Sequence, residues 1–261
     1  VEAGEKLKVL SLFAGIGGFD LGLERTGGFE TVAFCEIEPF AQAILRQHWP
    51  EVPIYADVRK LTADQLEADG IVPNVIVGGF PCQDVSAAGR RAGVGEGTRS
   101  GLYVELLRLA RDLRPQFILM ENVAGLLSGP PEQPGEWFGR VLGDLAEIGY
   151  DAEWHCIPAS YVGAWHRRDR VWILAYPDEE RGQQGVAKGP LFRQRHLLQQ
   201  PSRGFAGWPG RSGLPKSRIC GRHDGVPDVP HRIAALGNAV VPQIPELIGR
   251  AILASMNAEA A

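Results

Sequence analysis

Lys8–Glu24 reads KVLSLFAGIGGFDLGLE: an apolar run, a turn holding three glycines, and a stretch with helical spacing. The run Lys8–Phe13 predicts a strand, and Phe19–Glu24 predicts the helix that follows the turn. The same alternation continues outward. Glu30–Glu36 (ETVAFCE) predicts a second strand and Pro39–His48 a second helix. Val75–Gly78, Phe117–Glu121 (FILME), Ala152–Ile157 and Arg170–Tyr176 (RVWILAY) predict further strands. Leu102–Leu113, Trp137–Ile148 and Ile244–Met256 predict helices, the last with Pro245 in its first turn. Strands alternating with helices predict an α/β fold, with a mostly parallel sheet covered by helices on both faces.

Composition narrows the class. The chain has 261 residues, of which 44% are hydrophobic and 22% charged, so wholesale disorder is excluded. Its 33 Gly and 19 Pro predict many turns and long loops. No apolar run approaches the roughly 18 residues of a membrane span, and the polar start Val1–Lys8 does not read as a signal peptide. Cys35, Cys82, Cys156 and Cys220 lie far apart without a CxxC pair. That spacing argues against a disulfide scaffold or a zinc site and for a reduced, cytoplasmic setting. Charge is uneven: residues 177–232 carry 10 Lys+Arg and 5 Asp+Glu, inside a chain of net charge -4. A basic segment beside an acidic body suits a polyanion partner on one side, although a solvated, loop-rich insertion has the same composition. The helical and strand periods stop at Pro177, and 16 of the next 54 residues, Pro177 included, are Gly or Pro. The expected division is therefore a main unit (1–176), a short lobe (177–231) and a segment returning to the main unit (232–261).

The glycine turn sets backbone N–H groups and a helix N-terminus at the carboxyl end of the first strand, where open α/β sheets bind nucleotide-like ligands. The dinucleotide pattern GxGxxG is broken by Asp20, which weakens a pyrophosphate reading. Glu36 and Glu38 follow the second strand, where an acid can accept bonds from ribose hydroxyls, and Asp57 is placed to hold an exocyclic amine. Each acid alone reads as a solvated group. Together, after successive strands, they fit a ligand with ribose and adenine but no pyrophosphate, such as S-adenosylmethionine. Gly78–Gln83 (GGFPCQ) follows another strand and aims a thiol, Cys82, from a glycine-bearing loop. Gly89, Arg90, Arg91 and Arg99 continue that loop as a polar, basic stretch. Glu121 and Asn122 end the next strand, where partial desolvation would raise a carboxyl pKa as a proton donor requires, although the Glu alone suits a structural role equally well. Arg167, Arg168 and Arg170 open a later strand with guanidinium forks.

In this order these motifs resemble the DNA (cytosine-5) methyltransferase family, in its compact bacterial or phage form. The resemblance rests on Leu10–Gly18 (LSLFAGIGG), Gly79–Ser86 (GFPCQDVS), Glu121-Asn122-Val123, His166–Arg170 (HRRDR) and Gly237–Pro242 (GNAVVP). It implies a Rossmann-like, S-adenosylmethionine-dependent fold with a small loop-rich recognition lobe. It implies transfer of a methyl group from S-adenosylmethionine to carbon 5 of a flipped cytosine, leaving S-adenosylhomocysteine. By the same resemblance Cys82 adds to carbon 6, Glu121 stabilises protonated ring nitrogen 3, and Arg168 and Arg170 hold the cytosine carbonyl and support the adduct. Phe13, Gly15, Gly17, Glu36, Ile37, Asp57, Val58 and Asn238 match the cofactor-binding positions, with Pro81 and Leu102 lining the same pocket. Gln83, Ser86, Arg90 and Arg91 are expected to touch DNA, and Arg193, Arg195, Arg211 and Arg218 to meet its phosphates. The implied partners are double-stranded DNA and, in a restriction-modification system, a cognate endonuclease; a monomer away from membranes is expected.

Two departures from the family stand out. His166 occupies a position where the family usually has Gln. Arg222–Ile233 (RHDGVPDVPHRI) stands where an Arg–Glu motif usually precedes the final block, which bears on target specificity. The competing readings are a catalytically silent DNA- or cofactor-binding relative and an enzyme acting on RNA.

Overall fold

A computed structural model of the chain describes residues 5–80, 102–129, 134–178 and 237–259. The N-terminal half alternates strictly: β1 (Leu7–Leu12), α1 (Gly18–Glu24), β2 (Phe29–Cys35), α2 (Pro39–His48), β3 (Ile54–Tyr55), α3 (Ala63–Ala68), β4 (Val75–Gly78), α4 (Leu102–Leu113) and β5 (Phe117–Val123). Then follow α5 (Glu136–Glu147), β6 (Tyr150–Pro158), β7 (Asp169–Pro177) and a last helix, α6 (Gln243–Glu259). The seven strands form one sheet in the order β3-β2-β1-β4-β5-β7-β6. Neighbours from β3 to β5 are parallel, whereas β7 runs antiparallel between β5 and β6.

The strands are continuous apolar runs because both faces of the sheet are covered. Alternate residues feed two cores. Leu10, Leu12, Ile76, Ile118, Met120, Val171 and Ile173 pack with Tyr103, Leu106 and Leu109 of α4 and Val141 and Leu145 of α5. Leu7, Val9, Val75, Val77, Phe117, Leu119, Trp172 and Leu174 pack with Phe19 and Leu23 of α1 and Ile244, Ile248 and Ile252 of α6. The period of two along each strand thus divides the helices between the faces.

Every element expected from the sequence is present, with ends shifted by up to three residues. Besides two single 3-10 turns, Ala124–Leu127 and Ala159–Val162, two elements were not expected. β3 has 2 residues and α3 has 6, too short to show a period, and α3 is set by its Thr62 cap, whose side chain accepts from the Gln65 N–H at 3.2 Å. β5 also continues through Glu121 to Val123, because β7 pairs with it along its whole length. The expected lobe at 177–231 lies almost wholly outside the described residues.

Helix α1 has neighbours on both sides. Towards the sheet, Asp20 is completely buried, and its carboxylate accepts from Ser11 Oγ at 2.9 Å and Thr31 Oγ1 at 3.1 Å. Towards α6, Gly18 and Gly22 let the backbone of Val240 and Pro242 approach. A methyl group on Gly18 would come 2.6 Å from the Val240 carbonyl, and one on Gly22 would overlap the Pro242 carbonyl.

Two outcomes follow for the fold. Gly22→Ala should destabilise the protein by roughly 2–3 kcal/mol in urea unfolding, since backbone rather than a flexible side chain must yield. Burial pushes Asp20 from 3.8 up to about 7, although both hydroxyls favour its charged form. The folded state then holds a proton that the unfolded state releases, so the stability from Asp20 is complete below pH 3.8 and is lost as pH rises to about 7. Relative to wild type, Asp20→Asn should therefore unfold at higher urea at pH 8 than at pH 5.

Candidate active site

The carboxyl ends of β1, β2 and β3 form one rim. After β1 the chain enters the turn with Phe13 at φ 54°, Gly15 at φ 56° and Gly17 at φ 81°. Left-handed backbone suits glycine but strains a phenylalanine, and such strain concentrates at binding sites. A side chain on Gly15 would meet nothing within 4 Å, so open space lies over the turn. The Gly15 N–H donates to Glu36 Oε2 at 2.6 Å, and the Glu38 N–H donates to Glu36 Oε1 at 2.8 Å. Glu36 is buried, while Glu38 is exposed and caps α2 through its backbone. Of the two acids expected at the ribose, only Glu36 is built into the turn.

Ile37, next to Glu36, is 60% exposed, an apolar surface on the rim where an aromatic ring can lie. Asp57 follows β3, and Arg59 engages both its oxygens, at 2.9 and 2.8 Å. Those hydrogen bonds from Arg59 hold its carboxyl below the usual range, leaving a charged acceptor of the kind an exocyclic amine needs. Val58 is buried, and its carbonyl accepts from Arg108 of α4 at 3.0 Å, with the Leu61 carbonyl bound by the same guanidinium at 2.8 Å. Leu102 opens α4, half-buried against the same core cluster as Phe13.

Beneath the turn lies a support that the sequence did not reveal. The indole of Trp49 sits where a side chain on Gly17 would fall, 2.5 Å from its would-be Cβ. Trp49 Nε1 donates to Glu24 Oε2 at 2.9 Å, and Glu24 Oε1 accepts the Thr31 N–H at 3.2 Å. Glu24 thus ties the end of α1 to β2 and to the ring under the start of α1.

The second rim lies at the ends of β4 and β5. Glu121 Oε2 would stand 3.2 Å from a side chain on Gly79, so the carboxyl lies against the start of the GFPCQ segment. Asn122 Nδ2 donates to the Phe80 carbonyl at 3.2 Å and ties the two strand ends together. Antiparallel pairing sets Trp172 opposite Glu121 and Arg170 opposite Val123, so Arg170 meets Glu121 diagonally on one face. Arg170 Nε is 2.8 Å from Glu121 Oε1. Burial raises the Glu121 pKa, and this outweighs the opposing pull of Arg170 and Arg168. Arg168, at φ 39°, donates from Nη1 to the Gly237 carbonyl at 2.6 Å, next to the exposed Asn238. Burial and the neighbouring Arg170 lower the Arg168 pKa.

The residues brought together are therefore Phe13, Gly15, Gly17 and Glu36 on one rim and Glu121, Arg168 and Arg170 on the other, with Asn238 joined through Gly237. Pro81, Cys82, Gln83, Ser86, Arg90, Arg91, Arg193, Arg195, Arg211 and Arg218 lie outside the described residues. Arg59, Trp49 and Glu24 were missed by the sequence reading. Only Arg59, two residues after Asp57, carried a local signal.

A seven-stranded sheet of this order, with an open glycine turn and an acid ending β2, defines the Rossmann-like architecture of S-adenosylmethionine-dependent methyltransferases. The chain belongs to the C-5 cytosine-specific DNA methylase family, whose model matches residues 7–200. It is 36% identical over 194 residues to the Type II methyltransferase M2.BsuMI of Bacillus subtilis, covering 73% of this chain and 46% of that protein. It is 34% identical over 199 residues to the Type II methyltransferase M.Sau3AI of Staphylococcus aureus, covering 71% and 47%. The chain thus spans about half the length of these curated relatives. The crystal structure of the S. pombe Dnmt2 methyltransferase shares the fold, with a TM-score of 0.57 at 20% identity over 77% of this chain and 57% of that one.

Glu24→Gln tests the support under the turn. A carboxylate accepts two N–H groups here, but an amide must turn its NH2 towards one of them, and an unmet donor costs about 1–3 kcal/mol. The dissociation constant for S-adenosylmethionine should rise roughly fivefold by calorimetry, with part of that penalty transmitted through Trp49 to the turn.

Proposed function

We propose that the chain is a DNA (cytosine-5-)-methyltransferase that methylates carbon 5 of a flipped cytosine in double-stranded DNA. One observation carries this reading: a mostly desolvated Glu121, its pKa raised by burial and its carboxyl clamped by Arg170, lies against Gly79, three residues before Cys82. Burial raises its pKa against the opposing pull of Arg170 and Arg168, a shift in the direction that suits a group presenting a proton to ring nitrogen 3.

The open space over Gly15, the engaged Glu36 and the charged Asp57 fit an adenosyl ligand. Phe13, Gly15, Gly17, Glu36, Ile37, Asp57, Val58, Pro81, Leu102 and Asn238 would hold S-adenosylmethionine. When bound, it supplies an electrophilic methyl carbon. The Cys82 thiolate would add to carbon 6, and the proton held at Glu121 would pass to nitrogen 3, so that carbon 5 becomes nucleophilic as in an enamine. After methylation, water would take the carbon 5 proton as the carbon 6–sulfur bond breaks and Cys82 leaves as thiolate, and nitrogen 3 would return its proton to Glu121, restoring the neutral aromatic base. Arg170 keeps the Glu121 carboxyl aimed while Arg168 contacts the pyrimidine carbonyl. Gln83, Ser86, Arg90, Arg91, Arg193, Arg195, Arg211 and Arg218 would bind the DNA. The lobe 177–231 would carry target recognition between the catalytic unit 1–176 and the returning segment 232–261. A monomer in the cytoplasm, paired with a cognate endonuclease, completes the reading; among the described residues no helix is long and apolar enough to cross a membrane.

Duplex made by amplification with 5-fluorocytosine offers every cytosine as a trap, so the target sequence need not be known. With S-adenosylmethionine present, wild type should form an adduct that survives denaturing gels, because fluorine at carbon 5 blocks the final elimination. Cys82→Ser should form none yet bind the cofactor within about twofold of wild type, a change within ~0.5 kcal/mol. Tight duplex binding by wild type without any adduct would favour the silent relative.

A further inference from the structure

We propose that the turn Gly163–Arg168 is a nucleic-acid contact surface, in which Trp165 stacks on a base of the strand carrying the target cytosine and Arg167 meets its backbone phosphate. This rests on the methyltransferase reading above and adds a contact which that chemistry does not require.

Trp165 is 66% exposed, although its turn is firmly held. The Ala159 N–H donates to the Arg167 carbonyl at 2.6 Å, and the Ala164 N–H donates to the Ala159 carbonyl at 3.1 Å. Val162 and Ala164 are buried on either side of Gly163, whose φ of 93° turns the chain outward. The indole meets the His166 ring edge-on at 5.4 Å and keeps most of its surface in water. Trp154, also exposed, differs in packing against Phe138 at 5.0 Å. An indole on a fixed backbone loses little freedom on binding and gains by covering a flat partner.

Its surroundings select that partner. His166, Arg167, Arg168 and Arg170 follow directly, and the last two sit at the Glu121 carboxyl. Arg167 has a side chain 83% exposed, and its pair with Asp169 at 3.2 Å is a surface contact that a phosphate can replace. A flat aromatic face beside these cations matches the combination used for exposed bases on a charged strand. Extruding a cytosine supplies such a face, because the bases on either side lose a stacking neighbour. Trp165 stands three residues before Arg168, on the turn that leads into the strand bearing Arg170.

The test uses the full chain, S-adenosylmethionine and the 5-fluorocytosine duplex. Trp165→Ala should weaken duplex binding roughly tenfold, and Trp165→Phe should restore most of it. Cofactor affinity and melting temperature should stay unchanged in both. Duplex should quench tryptophan emission in wild type, and this quenching should shrink in Trp165→Phe. If wild type traps the duplex and Trp165→Ala binds and traps as well, the contact is refuted while the methyltransferase reading stands. If wild type neither binds nor traps duplex, both fall.

Discussion

The close approach of Gly18 and Gly22 in α1 to the backbone at Val240 and Pro242 couples the two ends of the described chain. The glycine turn leads directly into α1, so its position depends on where that helix lies. On the sheet side Phe19 and Leu23 enter the core; on the other side Gly249 of α6 leaves room for Leu23 and Thr26. With both sides filled at backbone distance, the turn cannot shift unless α6 shifts as well. A motif near residue 240 thereby packs beside the helix that follows the turn near residue 15, while its start at Gly237 meets Arg168 on the other rim. It also explains why Asn238, so remote in sequence, stands beside the Arg168 contact at Gly237.

A comparable constraint governs the other rim. At the end of β5, Glu121 receives its cation from an antiparallel neighbour. Inserting β7 antiparallel between β5 and β6 lets the start of β7 meet the end of β5. The basic residues that open one strand thus reach the acid that ends the other. Burial and ion pairing then oppose each other at one carboxyl. Burial prevails for proton affinity, and the pair with Arg170 still fixes orientation. The carboxyl thereby combines a raised proton affinity with a fixed direction, the two properties a general acid needs.

Most of the fold was legible because the strands are buried on both faces and read as apolar runs, while α4 and α5 carry a strong helical period. β3 and α3 were illegible because two and six residues carry too little pattern. At the site, residue types were legible and partners were not. Glu36 was visible as an acid after a strand, but its bond to Gly15 spans 21 positions. Trp49 gave no sign of supporting Gly17, because only the packing of α2 against the turn brings them together. Glu38 looked equivalent to Glu36 by sequence; the helix start turns it outward as a backbone cap.

Asp20 shows how one departure from a familiar pattern becomes geometry. In the dinucleotide fingerprint the third glycine allows a helix to lie close against its strand. Here that position carries a carboxylate that reaches Ser11 on β1 and Thr31 on β2. Helix and sheet are joined through hydrogen bonds, and the glycine contacts fall instead at Gly18 and Gly22, about half a turn around the helix and facing α6. The close backbone approach has thus moved from the sheet side of α1 to its outer side. The turn keeps its N–H groups and left-handed bends, but Glu36 already takes the Gly15 N–H that a phosphate would seek. A carboxylate in that place competes with a phosphate for the N–H groups of the turn, in keeping with a ligand that carries ribose but no pyrophosphate.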